Sequence, residues 1–159
     1  GGNYENLVAD QASVSTTVTD VQDTTTVTLT TTPSVAEGGT IIYTATVGAP
    51  VTGSPVIVSL ANGQTITIPV GQSSGTATEA VTNDVYQGHA AVSNQIIAVS
   101  GGNYENLVAN QVPVFTTVTD VQDTTTVSLT ATPSVAEGGT IIYTATVGAP
   151  VTGSPVIVS

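Results

Sequence analysis

Residues 101–159 repeat residues 1–59 with six substitutions in fifty-nine positions, so that GGNYENLVA, TTVTDVQDTTTV and TPSVAEGGTIIYTATVGAPVTGSPVIVS each occur twice, one hundred residues apart. A near-identical unit of domain length placed end to end is the mark of a molecule whose product is reach and copy number rather than one catalytic cleft. Starting the unit at Asp23-Thr24-Thr25-Thr26 gives one complete repeat, residues 23–122. Residues 1–22 then form the C-terminal part of a preceding repeat and residues 123–159 the N-terminal part of the next. Neither flank carries a counterpart of residues 60–100, so the flanks cannot complete a domain between them and are expected to fray or to swap with neighbours.

Within the complete repeat the hydrophobic pattern has a period of two. Val27 and Leu29 alternate with threonines, and the same spacing recurs in Ile41, Tyr43, Ala45 and Val47, in Val56, Val58 and Leu60, and in Ile66, Ile68 and Val70. Each run reads as a half-buried strand. Turn residues separate them: Thr32-Pro33-Ser34, Glu37-Gly38-Gly39, Gly48-Ala49-Pro50 with Gly53, the hairpin pair Asn62-Gly63, and Gly71 to Gly75. Residues 76–81 and 85–99 look extended without a clear inward face, and Val112, Val114, Thr116 and Val118 form a last strand. Seven or so short strands in about one hundred residues, without helical periodicity, predict an all-β fold, an immunoglobulin-like Greek-key β-sandwich, with another Greek-key sandwich as the alternative. Ser15 becomes Phe115 and Ser13 becomes Pro113 between copies, which places these positions on the solvent face. Pro33, Pro55 and Pro69 supply edge breaks in a chain that has no lysine to guard its sheet edges.

The charge pattern is as one-sided as the repeat is regular. There is no Lys and no Arg against eleven Asp and Glu, a formal net charge of −11, so no carboxylate can pair with either cation. Two carboxylates about 5 Å apart repel by roughly 0.8 kcal/mol in water and about 3 kcal/mol at an effective dielectric of 20. Wherever acids cluster, a bound cation is the expected remedy. A nucleic-acid partner, which needs a basic stripe, is not expected, nor is direct docking on an anionic membrane. Cysteine is absent, which excludes disulfides and thiolate metal sites. No apolar run reaches the 18–20 residues of a membrane helix.

Asp20-Val-Gln-Asp23 and Asp120-Val-Gln-Asp123 lie where one repeat hands over to the next. Calcium takes six to eight oxygen ligands, and no basic residue competes for these acids. The expected side-chain ligands are Asp20, Asp23, Glu37 and Asp84 at one junction, and Asp120, Asp123 and Glu137 at the next, with Ca²⁺ as the cation. The competing reading makes these residues turn-forming, solubilising acids. Asp84-Val85-Tyr86 has the form of a tyrosine corner, a structural role. His89, the single histidine, has no Ser, Asp or second His at catalytic spacing. Glu79 and Glu105 read as solvated acids, and the Gly-Gly pairs as turns, since no helix or lysine follows them.

The blocks DTTTVTLTTTPSVAEGGTIIYTATV, NGQTITIPVGQSSGT, TNDVYQGHAAVS, GGNYENLVA and TTVTD, in this order, resemble the Ig-like extender repeats of very large bacterial surface adhesins of the LapA and RTX types, and the likeness covers the whole chain. SVAEGG and NDVYQG are also similar to Calx-beta modules, a resemblance that puts Glu37 and Asp84 among calcium ligands. NDVYQGHAAVS departs from that pattern, with a single Asp and with Gln87 and His89 where related repeats carry more acids, which implies weaker or differently placed calcium. The resemblance implies an extracellular, bacterial cell-surface protein, without enzymatic activity, whose repeats form a stalk stiffened by calcium and project adhesive domains for attachment and biofilm formation. The partners of each repeat are then its neighbours in the same chain. Two alternatives remain open: a repeat that itself binds a glycan or protein, which the absence of Trp disfavours, and self-association into a fibre or surface layer.

Overall fold

The computed structural model describes residues 2–159. The fold is an all-β sandwich, as the alternation requires. β1 (Thr24–Thr31), β2 (Ser34–Ala36) and β3 (Thr40–Thr46) are followed by β4 (Val56–Leu60), β5 (Thr65–Ile68) and β6 (Ser74–Ala80). β7 (Val92–Asn94), β8 (Ile96–Gly101), β9 (Asn106–Ala109) and β10 (Val114–Thr119) complete residues 23–122, and β11 (Val127–Ala131) and β12 (Tyr143–Val147) form a hairpin beyond them.

The strands form one four-stranded sheet in the order β6-β3-β1-β9, two three-stranded sheets, β5-β4-β8 and β2-β10-β7, and the isolated pair β11-β12. Consecutive strands β3 and β4 lie in different sheets, while β6 comes back to pair antiparallel with β3. Two pairings are parallel: β1 with β9, Thr24 opposite Asn106, and β2 with β10, Ala36 opposite Thr119. The chain from Asp23 to Ala36 therefore runs alongside the chain from Glu105 to Thr119 in the same direction.

The alternating residues meet as expected. Val27, Ile41, Tyr43, Ala45, Val56, Val58, Leu60, Ile66, Ile68 and Ile96 join a single buried cluster, each large aliphatic among them contributing about 1.5–3 kcal/mol by leaving water. The hairpin at Asn62-Gly63 closes with a three-residue loop. Gly63 takes a φ of 84° and its N–H donates to the Leu60 carbonyl, while Leu60 N–H bonds the Gln64 carbonyl. That left-handed position carries little cost only for glycine. Phe115 points to solvent, 63% exposed, while Thr116 and Val118 beside it are buried, in line with the face assigned from the substitutions.

Three expectations need correction. Residues 23–122 hold ten strands rather than about seven. Residues 85–91 form a loop, not the start of a long strand, because the chain is crossing to the neighbouring sheet and has no strand to pair with there. Val112 lies before β10 and is exposed. Among the described residues no helix is long and apolar enough to cross a membrane.

Candidate functional site

Glu37 opens the turn between β2 and β3. Gly38, at a φ of 75°, and the Gly39 N–H bond to the Ala36 carbonyl fold the turn back on itself. Glu37 extends the parallel β2–β10 track by one step, its N–H donating to the Thr119 carbonyl at 3.0 Å. Its carboxylate then reaches along the departing linker, where Oε2 accepts the Val121 N–H at 3.3 Å. Glu37 is only 6% exposed, and its other oxygen, Oε1, is buried without a hydrogen-bond partner. A buried acceptor left unmet costs about 1–3 kcal/mol, and more when it carries charge. With no Lys or Arg in the chain, a bound cation or water is what remains to meet it.

The loop after β6 closes in from the other side. Asn83 sits against the Glu37–Gly38 turn, since a Cβ built on Gly38 would lie 3.7 Å from the Asn83 Cβ. The Asn83 side-chain amide donates to Asp123 Oδ2 at 2.9 Å, tying the loop to the first residue of the next sequence repeat. Asp84 Oδ1 accepts the Tyr86 N–H at 2.8 Å, an Asx turn that aims the tyrosine outward. The Tyr86 hydroxyl donates to the Pro150 carbonyl at 2.9 Å. Val85, Tyr86 and Gln87 thus face Asp120, Asp123 and Thr125 across a cleft of about 560 Å³.

Glu37, Asp84, Asp120 and Asp123 are therefore on the elements that gather where residues 23–122 give way to residues 123–159. Asp20 and Asp23 are not part of this gathering, contrary to the expected grouping with Glu37 and Asp84. Asp23 stands at the far end of the parallel track, its N–H donating to Glu105 Oε2, with the Gln22 side chain on the Glu105 carbonyl. Asp20 lies exposed in the strand-free segment before β1, and Glu137, the counterpart of buried Glu37, is exposed. Among the described residues no three His, Asp or Glu side chains converge closely enough to hold a metal ion by themselves.

No partner for Asn83, Tyr86 or Glu105 is legible in the sequence. Asn83 and Tyr86 flank Asp84 in the TNDVY block, which was the available signal; the role of Glu105 depends on the β1–β9 pairing, for which one sequence offers none. Tyr86 bonds across the junction, to the Pro150 carbonyl, rather than forming the expected corner inside its own sandwich. Glu79 is likewise not merely solvated: it accepts hydrogen bonds from the Tyr43 hydroxyl and the Asn62 amide, both at 2.8 Å. Burial, and then the hydrogen bond and charge of Glu79, push the Tyr43 phenol up to about 12. Among the described residues, the His89 ring bonds the neighbouring Ala90 carbonyl.

This is a β-sandwich module set in a repeated sequence, with four of its acids, Glu37, Asp84, Asp120 and Asp123, on the elements that meet where residues 23–122 give way to residues 123–159. The LapA domain model matches residues 23–121 and again residues 123–159. The chain belongs to the LapA domain family, which relates it to LapA-type biofilm adhesins and implies a cell-surface location. No curated protein and no solved structure matches it.

Proposed function

We propose that the chain is a stretch of the extracellular stalk of a bacterial surface adhesin: an Ig-like, Calx-beta-like extender repeat, residues 23–122, flanked by parts of its two neighbours, with no enzymatic task. Its mechanism is mechanical. The repeat spaces adhesive domains away from the cell, and calcium at each junction holds successive units in line.

The observation that carries this reading is the buried, unpartnered Oε1 of Glu37, on a carboxylate whose other oxygen accepts the Val121 N–H in the linker to the next unit. Carboxylate oxygen is the type of ligand calcium takes, and Asp120 and Asp123 stand in the same linker. Because three acids do not converge there, the fit is to a site with one or two carboxylates, from Glu37 and from Asp120 or Asp123, completed by main-chain carbonyls and water. Such a site belongs at the weak end of protein calcium sites, with Kd about 10⁻⁴–10⁻³ M, the range of extracellular modules. Calcium would neutralise the acids of both units at once and favour the aligned state by mass action.

Small-angle scattering on an array of several repeats, titrated with calcium and then chelator, tests the mechanism. The expected outcome is a longer, stiffer particle with calcium. The variant Glu37→Gln keeps the shape and one acceptor oxygen but removes the charge, so it should lose the response to calcium, whereas Glu137→Gln in the 159-residue chain should leave calcium binding unchanged. Dimensions indifferent to calcium would remove the stiffening and leave the spacer role standing.

A further inference from the structure

The acids are not the only contact across the junction. The Tyr86 hydroxyl donates to the Pro150 carbonyl at 2.9 Å, a bond spanning sixty-four residues from the loop after β6 to the turn after β12. Val85 and the Tyr86 ring also line an apolar cleft with Thr125, Val147, Pro150 and Val151. None of these groups is charged, so the contact needs no cation. We propose that Tyr86 is the upstream half of a metal-independent latch, docking through its ring and hydroxyl on the Gly148-Ala149-Pro150 turn of the succeeding unit.

The repeat itself explains why that turn suits the purpose. Its counterpart within residues 23–122 is Gly48-Ala49-Pro50, and there the Tyr104 hydroxyl donates to the Ala49 carbonyl at 2.7 Å while its ring packs on the core. Proline fixes its own φ and offers no N–H, so the turn presents carbonyls on a stiff backbone. In a string of such units each Gly-Ala-Pro turn receives two tyrosines. One comes from its own unit at the alanine carbonyl and holds the turn in shape. The other comes from the unit upstream at the proline carbonyl and sets the angle between units. The partner surface is thus a second copy of this repeat, and the latch positions the acids on either side of the linker before any cation binds.

The inference rests on successive units being joined in one chain, but not on calcium, and its test is made in chelator. The chain has no cysteine, so Thr65→Cys and Thr144→Cys, both exposed, place one spin label on each side of the junction in the full 159-residue protein. The parent should give a dominant distance between the labels. Tyr86→Phe, which keeps the ring and removes the hydroxyl, should raise the population outside that peak about two- to twelvefold, the range for one net hydrogen bond. Tyr104→Phe breaks the bond inside the complete repeat and should leave the distribution as in the parent. No widening on Tyr86→Phe, or an equal widening on Tyr104→Phe, overturns the latch. Either result leaves the calcium response of Glu37→Gln to be decided separately.

Discussion

Residues 32–59 and 132–159 have the same sequence and opposite environments. Ile41 and Tyr43 are 0% and 1% exposed, whereas Ile141 and Tyr143 are 49% and 66% exposed. Val58 is fully buried and Val158 is 53% exposed. The strand signal is the same in both, but only the central hairpin forms in both: β11 and β12 pair with the register of β1 and β3, Leu129 opposite Ala145 as Leu29 is opposite Ala45. Residues 134–136 and 156–159, the counterparts of β2 and β4, form no strand. What differs is the remainder of the sandwich. Residues 123–159 have no counterpart of β5 to β10 to cover them within these 159 residues, and an uncovered hairpin has marginal stability in water. Identity of sequence thus fixes the pairing of the central hairpin, while burial is supplied by the strands that follow later in the chain, β5 to β10.

The widest separation between the copies is expected from truncating the same isoleucine in each. Ile41→Ala deletes a fully buried side chain and should cost about 2–5 kcal/mol, while Ile141→Ala should change the unfolding free energy of the chain by no more than about 0.5 kcal/mol. Urea denaturation of the two variants checks this directly. Equal losses would mean that residues 123–159 pack as a second core and that the contrast is false.

The same contrast explains what could be read in advance. A period of two assigns faces, so Val27, Ile41, Tyr43, Val58 and Ile66 were recognisable as core, and the Ser15-to-Phe115 exchange marked an outward position. Periodicity does not name partners. The parallel alignment of β1 with β9 and of β2 with β10, the reach of Glu37 to the Val121 N–H, and the bond from Tyr86 to Pro150 all join residues more than sixty positions apart. The acids at the Asp120-Val-Gln-Asp123 junction could be found because they recur with the repeat. Their grouping could not, because it depends on which end of the sandwich each loop occupies. Residues 85–91 have the composition of a strand, Val, Tyr and alternating small residues, and only the lack of a pairing partner makes them a loop.

Tyr43 offers an intermediate effect with a pH signature. Its phenol, ordinarily near 10, is held at about 12 in the folded chain by burial and by Glu79. Between these values the unfolded chain has released the proton and the folded chain retains it, so folding stability is complete below pH 10 and falls as the pH rises towards 12. Tyr43→Phe should cost about 1 kcal/mol at neutral pH, since Glu79 keeps its bond from Asn62, and should flatten the alkaline fall. Tyr143→Phe should do neither. Urea midpoints at pH 9 and pH 11.5 separate the variants, and an unchanged alkaline slope in Tyr43→Phe would show that Tyr43 is not the group responsible.

The smallest effect concerns one of the six positions at which the copies differ, Thr31 against Ala131. The Thr31 and Thr116 hydroxyls lie 2.9 Å apart, and Thr116, fully buried, also donates to the Thr32 carbonyl at 2.7 Å. A hydroxyl has one proton. If Thr116 gives its proton to Thr32, Thr31 must be the donor between the two hydroxyls, and removing Thr31 strips an acceptor lone pair of its partner without stranding a buried donor. Thr31→Ala should then cost only about 0.5 kcal/mol, the low end for a lost hydrogen bond, which is why alanine is acceptable at this place in another copy. Thr116→Val should cost more, because it leaves the Thr32 carbonyl unmet. A double-mutant cycle between the two positions isolates the shared bond. A loss for Thr31→Ala as large as that for Thr116→Val would reverse the donor assignment and make the exchange at position 131 a destabilising one.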